Sequence, residues 1–86
     1  MSKRVRMYST KWCADCRNAK QFLSRHNVPF DEVDIDGNDA AADLVIEWSG
    51  GRRVIPTFHI EEEVKAPVIL HNPPQAVLAQ QLGLTS

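Results

Sequence analysis

The sequence predicts a mixed α/β domain of order β-α-β-α-β-β-α, and three observations predict it. Short β-rich or alternating runs occur at Val5–Ser9, Phe30–Ile35, Val54–Ile60 and Pro67–His71. Between and after them, apolar residues recur at helical spacing. Gly, Pro and Asn punctuate the boundaries. A β-α-β start requires parallel strands joined by a right-handed crossover, whereas the later hairpin must be antiparallel. The predicted sheet is therefore mixed, with helices on its faces.

Each element follows from its residues. Strand one ends at the polar Ser9. Cys16, Ala19, Leu23 and His26, with Phe22 alongside, form one stripe of a helix over about residues 14–26, ended by Asn27 and Pro29. Phe30–Ile35 alternates apolar and acidic residues, as a strand with one wet face does. Asp36-Gly37-Asn38-Asp39 supplies turn and cap residues. Ala41, Leu44, Val45 and Trp48 then share a stripe that stops at Ser49-Gly50-Gly51, where glycine accepts a left-handed exit. Trp48 reads as core. Pro56 stands near the start of the third strand, where a missing amide is tolerated. Glu61-Glu62-Glu63 reads as a solvated hairpin turn. Asn72-Pro73-Pro74 opens the last helix, with Asn72 as its cap and Val77, Leu78 and Leu82 as its apolar side. His59 and His71 read as strand residues, and Arg52 and Arg53 as surface. Arg4 and Arg6 fall on one side of strand one, so that face must be open at its end or the stems must snorkel.

Size and charge bound the function. The 86 residues form one domain, residues 1–86, with no linker or repeat. A net charge of −1 gives no electrostatic reason for a nucleic-acid partner. The start, Met1-Ser2-Lys3-Arg4-Val5-Arg6, is charged and has no following apolar run, so no secretory signal or membrane span is read. A cytoplasmic monomer is the expectation.

The two cysteines, Cys13 and Cys16, carry the chemistry. A bridge between them closes almost no loop, so it would add little stability. In a reducing compartment Cys-x-x-Cys beside a βαβ unit reads as redox first and as half of a zinc site second. No second ligand pair stands at zinc spacing, and no metal site is assigned. At the first turn of a helix, unpaired amides and the positive dipole end favour a negative sulfur. Cys13 is therefore the expected nucleophile, and Cys16, one turn further in, the resolving thiol. Lys11 favours the Cys13 thiolate by charge, and Asp15 opposes it. At about 7 Å the Asp15 repulsion is roughly 1 kcal/mol, less than a helix end contributes in such motifs. Trp12, directly before the nucleophile, reads as an apolar docking surface.

Tyr8-Ser9-Thr10-Lys11-Trp12-Cys13-Ala14-Asp15-Cys16, followed by Gly50-Gly51-Arg52-Arg53-Val54-Ile55-Pro56-Thr57-Phe58, resembles the glutaredoxins, closest to their bacterial mycoredoxin-type branch. The resemblance implies a thioredoxin fold with strand order 2-1-3-4 and a cis bond at Ile55-Pro56 facing the Cys pair. It implies a dithiol thiol–disulfide oxidoreductase acting on protein disulfides or protein–small-thiol mixed disulfides. It further implies substrate contacts from Lys11, Trp12, Val54, Ile55, Pro56 and Asn72. No bound cofactor is expected. The co-substrate would be a low-molecular-weight thiol (glutathione, mycothiol or bacillithiol), or an NADPH-linked disulfide reductase would restore the dithiol. Alternative readings are a dedicated electron donor to one partner enzyme and a zinc-binding Cys-x-x-Cys module. The chain departs from the family's usual Cys-Pro-Tyr-Cys by Ala14-Asp15. It also replaces the family's glycine pair with His71-Asn72-Pro73-Pro74 and carries Asp43 in helix two, changes that disfavour a carboxylate-bearing thiol.

Overall fold

The computed structural model describes residues 3–63 and 65–84, so the first two residues of the charged start lie outside it. Its elements are β1 (Arg4–Ser9), α1 (Ala14–Arg25), β2 (Asp31–Asp34), α2 (Asp39–Trp48), β3 (Thr57–Glu61), β4 (Val68–His71) and α3 (Gln75–Leu82). The sheet order is β2-β1-β3-β4, with β1 parallel to β2 and antiparallel to β3, and β3 antiparallel to β4. This is the α/β arrangement and strand order expected above. Among the described residues no helix is long and apolar enough to cross a membrane.

Period-two alternation along β1 sends Val5 and Met7 to one face and Arg4, Arg6 and Tyr8 to the other. Val5, Met7, Phe58 and Ile60 pack with Phe22 and Leu23 of α1 and Leu78 of α3. The opposite face holds a smaller cluster of Tyr8, Ile35, Ala41, Ala42 and Val45, covered by α2. That helix has only 10 residues, and its buried side chains are Ala41, Ala42 and Val45. Arg4 is exposed and Arg6 half-buried, opposite Glu61 and His59 of β3.

Each helix begins and ends for a local reason. The Asn38 side chain accepts from the Ala41 amide at 3.2 Å and caps α2. All three helices close with the same paired bonds. The Val28, Gly51 and Leu84 amides reach back to the Leu23, Ile46 and Ala79 carbonyls at 2.9, 2.8 and 2.9 Å. The pattern needs a left-handed residue, supplied by Asn27, Gly50 and Gly83.

Several expectations are corrected. Asn72 does not cap α3: the cap position is Pro74, without a side-chain bond, and Asn72 instead takes a left-handed φ of 43°. β3 begins at Thr57 rather than Val54, because Val54 to Pro56 form a connecting loop. Glu61 belongs to β3, where it pairs with Arg4, and not to the turn. Leu44 and Val77 point outward, so the buried stripe of α2 is Ala41, Ala42 and Val45, and that of α3 is centred on Leu78. Trp48 is half-buried at the margin of its cluster, edge-on to Tyr8 at 5.3 Å and stacked on His59 at 5.2 Å. His26 lies past the end of α1, its ring 4.6 Å from that of Phe22.

Leu23 is fully buried where α1 meets the sheet. Leu23→Ala is expected to destabilise the protein by about 3 kcal/mol, read from denaturant unfolding.

Candidate active site

The loop after β1 delivers Cys13 to the cap position of α1, one residue before the helix begins. Its backbone is extended, with φ −90° and ψ 115°, and its Sγ accepts the Cys16 amide at 3.1 Å. A cysteine thus does here what Ser, Asn or Asp does at most helix starts. The sulfur satisfies one of the orphan amides and sits at the positive end of the helix dipole, where negative charge is favoured. Cys13 is half-buried. Cys16 is fully buried, and both thiols are free.

The two sulfurs are chemically unequal. Burial, followed by hydrogen bonding to Cys13, pushes the Cys16 thiol up to about 12, while the Thr10 backbone amide acts in the opposite direction. Cys16 therefore stays protonated until a reaction at Cys13 changes its surroundings. Among the described residues no group of three or more His, Cys, Asp and Glu side chains could hold a metal ion.

The Ile55-Pro56 bond is cis. Pro56 is buried, and Val54 and Ile55 are half-buried on the loop leading into β3. Two sets of bonds from the end of β4 hold this loop. The Asn72 amide donates to the Pro56 carbonyl at 2.7 Å. The Thr57 hydroxyl donates to the Val54 carbonyl at 2.7 Å and meets His71 Nδ1 at 2.8 Å. Since the hydroxyl proton is already committed to Val54, His71 Nδ1 must carry a proton and donate to Thr57.

The other expected site residues divide. Trp12 is 71% exposed, an unusual position for the largest apolar side chain, and stands beside Cys13. Asp15 is exposed and accepts from Asn72 Nδ2 at 3.4 Å, which links the Cys-x-x-Cys turn to the turn before α3. Lys11 is exposed and lines a separate hollow with Lys20, Glu32 and Asp34. There the Ser9 hydroxyl donates to Glu32 Oε2 at 2.7 Å, and Lys20 Nζ pairs with the same oxygen at 3.2 Å.

Sequence reasoning missed Thr57 and His71 as supports of the loop. Their signal was the hairpin register, in which Thr57 stands opposite His71. It also missed the cavity formed by Asp15, Asn18 and Gln75 with Pro56. The clue there was the spacing of Asp15 and Asn18, which are helical neighbours.

Two outcomes follow from these contacts. His71→Leu deprives the Thr57 hydroxyl of its donor and should cost about 1–3 kcal/mol in denaturant unfolding, with His71→Asn, whose Nδ2 can donate in the same place, recovering most of that loss. The reduced protein should also lose stability from pH 9 upward. Above that pH the unfolded chain releases the Cys16 proton while the folded chain holds it until about 12. The resulting slope is at most about 1.4 kcal/mol per pH unit and should be absent from Cys16→Ala, measured at matched pH values.

Comparison with known proteins agrees with this geometry. The glutaredoxin family model matches residues 5–65. A putative glutaredoxin of Mycobacterium tuberculosis is 43% identical over 51 residues, which are 59% of this chain and 61% of that protein. The chain thus covers less than two thirds of that relative's length. Glutaredoxin 3 of Escherichia coli K12 is 37% identical over 59 residues, 69% of this chain and 70% of its own. The crystal structure of the thioredoxin-like protein BC3987 superposes with a TM-score of 0.71 at 26% identity, covering 91% of this chain and 97% of that one. A Cys pair at the cap of α1 and a cis-proline loop leading into β3, on a sheet ordered 2-1-3-4, accompany a family match over most of the sequence: the chain belongs to the glutaredoxin family.

Proposed function

We propose that this chain is a dithiol thiol–disulfide oxidoreductase that reduces protein disulfides or mixed disulfides between proteins and small thiols. The observation that carries the reading is Cys13 Sγ capping α1 through the Cys16 amide while Cys16 itself is buried. One sulfur thereby accepts an amide hydrogen bond at the helix start and is partly exposed, and the other is kept in reserve.

The steps balance as follows. The Cys13 thiolate attacks one sulfur of a substrate disulfide, a Cys13–substrate disulfide forms, and the other substrate sulfur leaves as a thiolate that takes up a proton. Cys16 then loses its proton and attacks Cys13 Sγ. The Cys13–Cys16 disulfide forms and the second substrate sulfur leaves reduced. Two electrons have passed from the protein to the substrate. They return from a low-molecular-weight thiol (glutathione, mycothiol or bacillithiol) or from an NADPH-linked disulfide reductase.

The surroundings suit this sequence. Substrate backbone would lie extended along Val54 and Ile55 beside the cis bond, an arrangement in which main-chain bonds supply affinity. Lys11 adds positive charge at the entry, and Trp12 offers apolar surface to the partner. A reducing, cytoplasmic setting suits two cysteines at this spacing. The exposure of Trp12 also favours a second reading, a dedicated electron donor that docks on one partner enzyme.

The test is disulfide reduction by the purified protein. Cys13→Ser is expected to lower the rate by about a hundredfold or more, because the nucleophile is gone. Cys16→Ser should accumulate a Cys13–substrate mixed disulfide visible by intact mass. Full activity in Cys13→Ser would overturn the proposal. Reoxidised protein challenged separately with each thiol, and with thioredoxin reductase plus NADPH, identifies the electron source. Activity on one protein disulfide among many would establish the donor reading.

A further inference from the structure

Beside the Cys pair, between α1 and the turn into α3, the surface closes into a cavity of about 170 Å³. Its floor is apolar, made by Pro56, Phe58 and Leu78. Its rim is polar, with Asp15 and Asn18 from α1 and Gln75 from α3. Of all the residues lining it, Asp15 alone carries a charge. Asn72 engages Asp15 Oδ2, and no hydrogen bond among the described residues engages Oδ1.

We propose that this cavity is a subsite for the side chain of a lysine or arginine that flanks the disulfide cysteine of a protein substrate. The inference rests on the redox reading above and adds a substrate preference to it. Three features carry it. An aliphatic stem over an apolar floor with its cation at a rim carboxylate is the disposition that Lys and Arg side chains adopt. The side-chain carbonyls of Asn18 and Gln75 offer further acceptors to an ammonium or guanidinium. Asp15 belongs both to the cavity rim and to the Cys13-Ala14-Asp15-Cys16 turn, so a residue next to the attacked sulfur is within reach.

The α3 end opposes this preference only weakly. A helix N-terminus carries about half a positive charge, against the full negative charge of Asp15. The Val77 amide of that first turn is already bonded to the Pro74 carbonyl at 3.0 Å, and Pro74 has no amide proton to offer an anion. The cavity therefore selects a cation over a carboxylate. A glutamate in the same place would face Asp15 across an apolar floor.

The test uses peptides whose single cysteine is disulfide-bonded to 2-mercaptoethanol and is followed by Lys, norleucine or Glu. The reduced protein attacks each peptide, and the second-order rate of mercaptoethanol release is measured. The expected order is Lys, then norleucine, then Glu, with Lys about fivefold faster than Glu at low salt. Asp15→Asn should bring Lys and Glu within about twofold of each other. Asn18→Phe leaves the charge unchanged but fills the cavity, and should bring the Lys peptide down to the norleucine rate. Equal rates for all three peptides in the parent protein would overturn the subsite and leave the redox reading intact. A Lys preference surviving in both variants would overturn it equally. Failure to reduce any of the peptides would overturn the redox reading and the subsite together.

Discussion

The hydrogen bond from the Cys16 amide to Cys13 Sγ is the constraint on which the site is built. It requires α1 to begin at Ala14 and no later, because a later start would leave the sulfur away from the open amides. That start depends in turn on where the rest of the helix is seated. Leu23 and Phe22 lock α1 against Met7 and Phe58 of the sheet, which sets the height at which its first turn emerges beside the end of β1. The same turn buries Cys16 while Cys13 stays open. One local geometry therefore produces both the reactive sulfur and the protected one.

The second wall of the site comes from a different part of the chain and is tied in by β4. Pairing of Thr57 with His71 brings the end of the hairpin alongside the cis-proline loop. From there His71 acts on Val54 through the Thr57 hydroxyl, and the Asn72 amide holds the Pro56 carbonyl. The left-handed turn at Asn72 then directs its side chain back toward Asp15. A single turn thus contacts the cis-proline loop and the Cys-x-x-Cys turn.

Charge distinguishes the two flanks of the cysteines. On one flank Lys11 and Lys20 face Glu32 and Asp34, so positive and negative groups are balanced. On the other, Asp15 is the only charge above an apolar floor. Asp15 had been read as a weak electrostatic restraint on the nucleophile. Its bond to Asn72 adds a structural role, and its place at the cavity rim is what the proposed cation subsite rests on.

Periodicity, punctuation and the Cys-x-x-Cys spacing were enough to determine the number, type and order of the elements and to place Cys13 at the start of α1 with Cys16 one turn further in. These features depend on residues close together in sequence, where 3.6- and 2-residue periods and helix-end chemistry act directly. The strand order and the cis bond at Ile55-Pro56 were implied by family resemblance, since no local period encodes them. Tertiary packing alone decided the rest. Asn72 was read as a cap because its residue type suits one, but the hairpin's end draws its amide to Pro56 and moves the helix start to Pro74. Trp48 and Leu44 lie on a helical stripe, yet α2 is too short and too marginal on its sheet face to bury both. The His71–Thr57–Val54 chain and the Asp15 cavity join residues from separate elements. Such contacts exist only once the sheet has aligned its strands, and the order of residues along the chain carries no direct trace of them.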